Sequence, residues 1–141
     1  MLKIKSPNYI FGAFFCSLKN AILKKQSSFT TYISKFTLLV SYFFLKKRYF
    51  SNVEIYQIDP SMKKKGYVLY IVINYSEEEN SFNNIFLLYT KKRSKSISVK
   101  RLQSLTRIER VIYILSTSQG ILNTSESIVK NVGGIVLLEV L

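Results

Sequence analysis

Histidine and tryptophan are absent from this 141-residue chain, and cysteine occurs once, as Cys16. Without histidine the chain lacks the usual general base and the commonest metal ligand, and no histidine-containing catalytic arrangement can form. A single cysteine excludes an intrachain disulfide and any zinc cluster built from thiolates, and it fits a reducing compartment. Acids are scarce, at 8 Asp+Glu. The only adjacent carboxylates, Glu77, Glu78 and Glu79, lie in a polar stretch unsuited to holding a tuned acid–base pair. There is no Gly-x-Gly-x-x-Gly and no Gly-x-x-x-x-Gly-Lys. The chain therefore reads as a protein that is not an enzyme and takes no cofactor and no metal. No apolar run reaches the ~20 residues of a membrane-spanning helix. The strongest candidate, Phe36 to Leu45, has ten residues and reads as a core helix. Met1 to Ser6 holds lysines with no uncharged run ending in small residues behind it, so no signal peptide is expected.

What is abundant is positive charge. With 21 Lys+Arg the formal net charge is +13, which calls for a polyanionic partner, either nucleic acid or an anionic membrane surface. Hydrophobic residues make up 48%, enough for a real core in one domain or two small ones. Phe, Tyr, Ile, Lys and Asn are plentiful, while alanine occurs only at Ala13 and Ala21. AT-rich codons give this bias, which points to an organelle or a reduced endosymbiont genome.

Phe11, Phe14, Phe15, Leu18 and Ile22 recur at helical spacing, so Tyr9 to Lys24 is expected to be an amphipathic helix with a core-facing aromatic stripe. Ser28 to Ile33 reads as a strand, and Lys35 to Lys47 as a second helix capped by Ser34. Lys46, Lys47 and Arg48 favour the negative end of that helix dipole. Val53 to Ile58 and Tyr67 to Tyr75 read as a hairpin with a basic tip at Lys63, Lys64 and Lys65. The acidic stretch from Ser76 to Asn84 is taken as the boundary between residues 1–78 and 79–141. Ile85 to Tyr89 and Ser96 to Val99 read as strands flanking the basic run Lys91 to Lys95.

The most informative stretch follows. The apolar run Val111 to Leu115 leads into Ser116-Thr117-Ser118-Gln119-Gly120. Asn123 and Glu126 then form a capping-box pattern for a helix ending near Lys130, and Gly133-Gly134 precedes a last strand, Ile135 to Leu141. Hydroxyls and exposed backbone N–H groups at a turn are good donors to phosphate and sugar oxygens, and glycine leaves room for close approach. Ser-Thr-Ser-x-Gly, a short helix, Gly-Gly and a closing strand resemble the C-terminal signature of small-subunit ribosomal protein eight, the universal S-eight family of bacteria and plastids. Ser17-Leu18-Lys19-Asn20-Ala21 is similar to the family's first-helix sequence, and Ser34-Lys35 to the start of its second helix. Arg93-Ser94-Lys95 overlaps a basic family motif whose Pro-Gly is missing here, and Gln119 stands where the family has a lysine.

The expected fold is α/β in two small subdomains: an N-terminal two-helix, three-strand unit and a C-terminal, mainly-β unit with one short helix. The resemblance implies a primary binder of the small-subunit rRNA central domain that aids platform assembly and touches the fifth and twelfth small-subunit proteins. Taken with the composition, it leads us to expect an organellar ribosome, plastid (apicoplast-like) before mitochondrion or bacterial cytoplasm. Two alternatives are a free regulator of messenger RNA and a basic protein adsorbed on a membrane surface. The expected RNA-binding residues are Ser116, Thr117, Ser118, Gly120, Gly133 and Gly134 at the signature, with Lys19, Asn20, Lys24, Lys25, Ser34, Lys35, Lys92, Arg93 and Lys95. The hydroxyls and glycines would position irregular RNA, and the cations would supply salt-dependent phosphate attraction.

Overall fold

The computed structural model describes residues 7–58, 66–76, 81–88, 95–108 and 112–141. The expected basic tip Lys63 to Lys65, the acidic run Glu77 to Glu79, and Lys92 and Arg93 lie outside them. The chain divides into two units, Met1–Phe82 and Asn83–Leu141. It combines helices with two antiparallel sheets, the mixed α/β class that the sequence led us to expect.

In the first unit the order is α1 (Pro7–Leu23), β1 (Ser28–Tyr32), α2 (Lys35–Lys46), β2 (Phe50–Ile58) and β3 (Gly66–Ile73). The strands lie in the order β1-β3-β2, all antiparallel. Phe11, Phe14, Phe15, Leu18 and Ile22 are all buried, so the stripe read from helical spacing is core. The sheet face beneath the helices carries Leu69, Ile71 and Ile73, with Phe29 opposite Ile71 and Phe50 opposite Ile73. Phe14 meets Phe29 at 6.3 Å, and Phe44 of α2 meets Phe50 at 5.2 Å. Helix α2 is less buried than its apolar run suggests. Val40, Phe43 and Phe44 point inward, while Leu39 and Tyr42 stay about half exposed. Among the described residues no helix is long and apolar enough to cross a membrane.

Three helices end the same way. After α1, Gln26 N–H donates to Ala21 C=O at 2.8 Å and Lys25 N–H to Ile22 C=O at 3.2 Å. The same pair of bonds closes α2 around Arg48 and α4 around Asn131. This is the Schellman ending, which needs a left-handed residue that glycine usually supplies. Lys25 (φ 51°), Arg48 (φ 66°) and Asn131 (φ 53°) occupy it here.

Among the described residues of this unit one buried side-chain group is unsatisfied: Thr31 Oγ1, on the inner sheet face opposite Leu69, has no hydrogen-bond partner among them. Thr31→Val, which keeps the shape and removes the orphaned hydroxyl, is expected to raise stability by about 1 kcal/mol. Denaturant titration checks this, and a loss of stability would mean that the hydroxyl is paired.

The second unit holds β4 (Ile85–Leu87), β5 (Ser96–Ile97), α3 (Val99–Ile108), β6 (Ile112–Thr117), β7 (Gly120–Asn123), α4 (Thr124–Lys130) and β8 (Gly134–Val140). β8 is central. β6 pairs along one edge, and the short strands β4 and β5 share the other. A bulge interrupts the pairing: Ile114 faces Leu138 and Leu115 faces Val136, which leaves Leu137 as the extra residue. A bulge breaks strict alternation, and so Val136, Leu137 and Leu138 can all be buried in succession.

Helix α3 corrects the expectation of one short helix in this unit. The strand expected over Ser96 to Val99 stops at Ile97, and α3 runs from Val99 to Ile108. The physical reason lies at Ser98. Its Oγ accepts from Arg101 N–H at 3.3 Å and its carbonyl from Leu102 N–H at 3.0 Å, which starts the helix. Leu102 is then wholly buried against Leu115 and Val136. The capping box of α4 is as expected: Asn123 Oδ1 accepts from Glu126 N–H at 2.9 Å, and Glu126 Oε1 from Asn123 N–H at 3.4 Å. The buried Thr124 hydroxyl accepts from Tyr113 N–H at 2.8 Å, one residue beyond the point where β7 pairs with β6.

Candidate nucleic-acid interface

The turn after β6 is built by its own residues. Ser118 and Gln119 form the tip, and Gly120 follows at φ +100°, a conformation that disfavours a Cβ. Thr117 Oγ1 donates to Gly120 C=O at 2.8 Å and accepts from Gln119 N–H at 3.1 Å. Thr117 is thus the clasp of the turn, while Ser118 stands exposed at its tip.

Gly133 and Gly134 have a clear structural task. A Cβ on Gly133 would run into Ile97 O and sit 3.3 Å from Ser98 Cα. A Cβ on Gly134 would run into Ser116 O and sit 2.8 Å from Thr117 Cγ2. One glycine accommodates β5 and the other β6, so β8 can begin between them. In the register Gly134 lies between Ile97 and Thr117, and Ile135 between Ser96 and Ser116. Lys95 joins the same sheet end, where its carbonyl accepts from Val136 N–H at 3.0 Å. The fold therefore gathers Lys95, Ser116, Thr117, Ser118, Gly120, Gly133 and Gly134, residues up to thirty-nine positions apart, at one end of one sheet.

In the first unit the expected residues form two groups. Lys19 and Asn20 lie on the last turns of α1, with Lys24 and Lys25 just beyond. Lys19 Nζ sits 5.7 Å above the Phe15 ring. The Tyr75 hydroxyl donates to Gln26 C=O at 2.7 Å, which ties this end of α1 to the chain beyond β3. Ser34 and Lys35 are at the other end of β1, about 16 Å away along a five-residue strand. Ser34 caps α2, its Oγ accepting from Thr37 N–H at 3.1 Å while Thr37 Oγ1 accepts from Ser34 N–H at 2.8 Å. Its hydroxyl is therefore engaged in the fold.

The sequence reading missed the cations of α3. Lys100, Arg101 and Arg107 are exposed. Ser98 followed by leucines at 102 and 105 was the signal for this helix. An open cavity of about 590 Å³ is lined by Arg101, Lys95, Ser96, Tyr113, Glu139 and apolar neighbours. Glu139 is the one carboxylate among the described residues of its lining. Among the described residues no group of His, Cys, Asp or Glu could hold a metal ion.

The family model for ribosomal protein S8 matches residues 10–141. The chain belongs to this family. No curated protein matches it. Membership of the ribosomal protein S8 family gives the chain a structural, rRNA-binding role on the ribosome, beside neighbouring ribosomal proteins. The high positive charge and the clustered hydroxyl and glycine turns accord with that role.

Proposed function

We propose that the chain is a primary binder of the central domain of small-subunit rRNA, aiding platform assembly beside the fifth and twelfth small-subunit proteins. The composition, rich in Lys, Asn, Ile and Phe and poor in Ala, favours an organellar, plastid-type ribosome. The observation that carries the reading is the convergence of the Ser116–Gly120 turn, the Gly133-Gly134 approach and Lys95 at one sheet end. In this reading Ser116, Ser118 and the backbone around Gly120 place an irregular RNA helix. Lys95, with Lys92 and Arg93 before it in sequence, attracts its phosphates. Lys19, Asn20, Lys24 and Lys25 form a second, sequence-independent contact, with Ser34 and Lys35 as a third. RNA of this kind is read by shape, 2′-OH groups and splayed bases, because side chains do not enter the deep A-form groove.

The test is binding to a hairpin from the rRNA central domain against a scrambled hairpin of equal length, across a salt series. Preference for the cognate hairpin that persists at moderate salt supports the reading. Equal binding to both, lost steeply with salt, reduces the chain to a generic polyanion binder.

Lys25 offers an unusually clean variant. Its left-handed backbone is strained for any residue with a Cβ, so Lys25→Gly is expected to leave stability unchanged or raise it by about 0.5 kcal/mol. The same change removes a cation, and if Lys25 contacts phosphate the log–log salt slope should flatten by about 1. An unaltered slope with intact folding removes Lys25 from the interface.

A further inference from the structure

The first unit also carries a surface of opposite character. Its sheet has an outer face, away from α1 and α2, on which Tyr32, Val68 and Tyr56 form one cross-strand row and Thr30, Tyr70 and Glu54 the next. An antiparallel sheet with one solvated face usually turns polar residues outward. Here the central strand turns Val68, Tyr70 and Val72 outward, and Tyr32 and Tyr56 remain 48% and 49% exposed. The Tyr56 and Tyr70 rings meet edge to face, 5.8 Å between centroids.

Among the described residues of this unit charge is segregated between the two layers. Every described Lys and Arg lies on α1, on α2 or in the turn that follows each. Among the described residues the outer sheet face has no cation, and it bears the unit's one described carboxylate, Glu54. Tyr56 hydroxyl and Asn52 Nδ2, the latter at 2.8 Å, both donate to that carboxylate. These bonds, Tyr56 first and Asn52 second, hold Glu54 below the ordinary carboxylate range, so it stays ionised at neutral pH.

We propose that the outer face of β1-β3-β2 docks a lysine- and arginine-rich segment of a neighbouring protein, with cationic heads set against Glu54 and the tyrosine rings. A phosphate backbone would meet a carboxylate there and no described cation. A guanidinium gains from both features, through a charge-assisted bond to the carboxylate and attraction to the ring faces. Tyrosine and arginine are also the residues that dominate protein interface cores. The inference goes beyond RNA binding and does not depend on the Ser-Thr-Ser turn.

The test uses the full chain, labelled for amide NMR, and a short peptide of alternating arginine and glycine, with an oligouridylate of equal length as competitor class. We expect peptide-induced shifts confined to β1, β2 and β3. Glu54→Lys should weaken the peptide at least roughly tenfold and Tyr56→Ala several-fold, in line with interface anchors. Glu54→Gln, which keeps a hydrogen-bonding side chain and removes the charge, should fall between them. No shifts, shifts indifferent to Glu54→Lys, or shifts of this face by oligouridylate would each overturn the proposal. A benzophenone-bearing residue in place of Tyr56, photolysed in assembled small subunits, should capture a Lys/Arg-rich protein segment, and capture of rRNA would count against it. Hairpin binding at the Ser-Thr-Ser turn is read separately, so either conclusion can fail without the other.

Discussion

Replacing Gly134 with alanine is expected to cost about 3 kcal/mol and to abolish much of the RNA affinity with it. The estimate follows from what the added methyl would meet. It would run into Ser116 O, a backbone atom held in the β6–β8 ladder, and would crowd Thr117 Cγ2 at 2.8 Å. A flexible side chain could swing away, but a ladder carbonyl cannot without breaking the pairing on which both strands depend. Overpacking of this kind costs about 1–3 kcal/mol where neighbours can relax, and the upper end applies where they cannot. Against the 5–15 kcal/mol that typically holds a domain, that is a large fraction. Two other glycines calibrate the result. Gly120 has open space around its missing Cβ but φ +100°, so Gly120→Ala should cost about 1–2 kcal/mol from backbone strain alone. Gly12 sits inside α1 with nothing within 4 Å, so Gly12→Ala should stabilise by about 0.5–1 kcal/mol. Denaturant midpoints of the three variants should fall in the order Gly12→Ala, Gly120→Ala, Gly134→Ala. A Gly134→Ala protein as stable as the parent would refute the close approach of β6 and β8.

The strongest local patterns were the ones legible in the sequence. The stripe Phe11, Phe14, Phe15, Leu18 and Ile22 needs only helical period and apolarity, and it is core. Ser34 and Asn123 announce helix starts because their side chains take up backbone N–H groups that the helix leaves open, and both do so. Helix α3 is masked in the sequence because its polar face is basic and continues a run of lysines, which leaves Ser98, Leu102 and Leu105 as sparse marks of a helix. The Schellman endings at Lys25 and Arg48 were hidden for another reason: nothing about lysine or arginine signals a left-handed backbone. Nor does local pattern show the bulge at Leu137, where the register of β8 against β6 shifts by one residue. At the candidate interface the residue types were legible and their division of labour was not. Thr117 clasps the turn, Ser34 caps a helix, and Gly133 and Gly134 make room for neighbouring strands.

That division gives the second large effect: Thr117→Val is expected to weaken hairpin binding roughly 30-fold, about 2 kcal/mol. Valine keeps the β-branched shape, so pairing of Thr117 with Gly120 and Gly134 should survive. What it loses are the bonds to Gly120 C=O and from Gln119 N–H. On the exposed surface these contribute about 1 kcal/mol to folding. The larger loss is in preorganisation, because a turn that is loose when free must be ordered at the moment of binding. Ser118→Ala separates contact from preorganisation. Ser118 is exposed at the tip and does not hold the turn, so its loss should reduce affinity severalfold and leave the denaturant midpoint unchanged. Neither hydroxyl variant should alter the salt slope, because neither removes a charge, in contrast to Lys25→Gly. If Thr117→Val lowers stability but leaves cognate and scrambled hairpins bound as before, the turn is a structural corner and the RNA is read elsewhere on the chain. If affinity falls while the slope holds, the turn is the element that recognises shape, and the cations add attraction without discrimination.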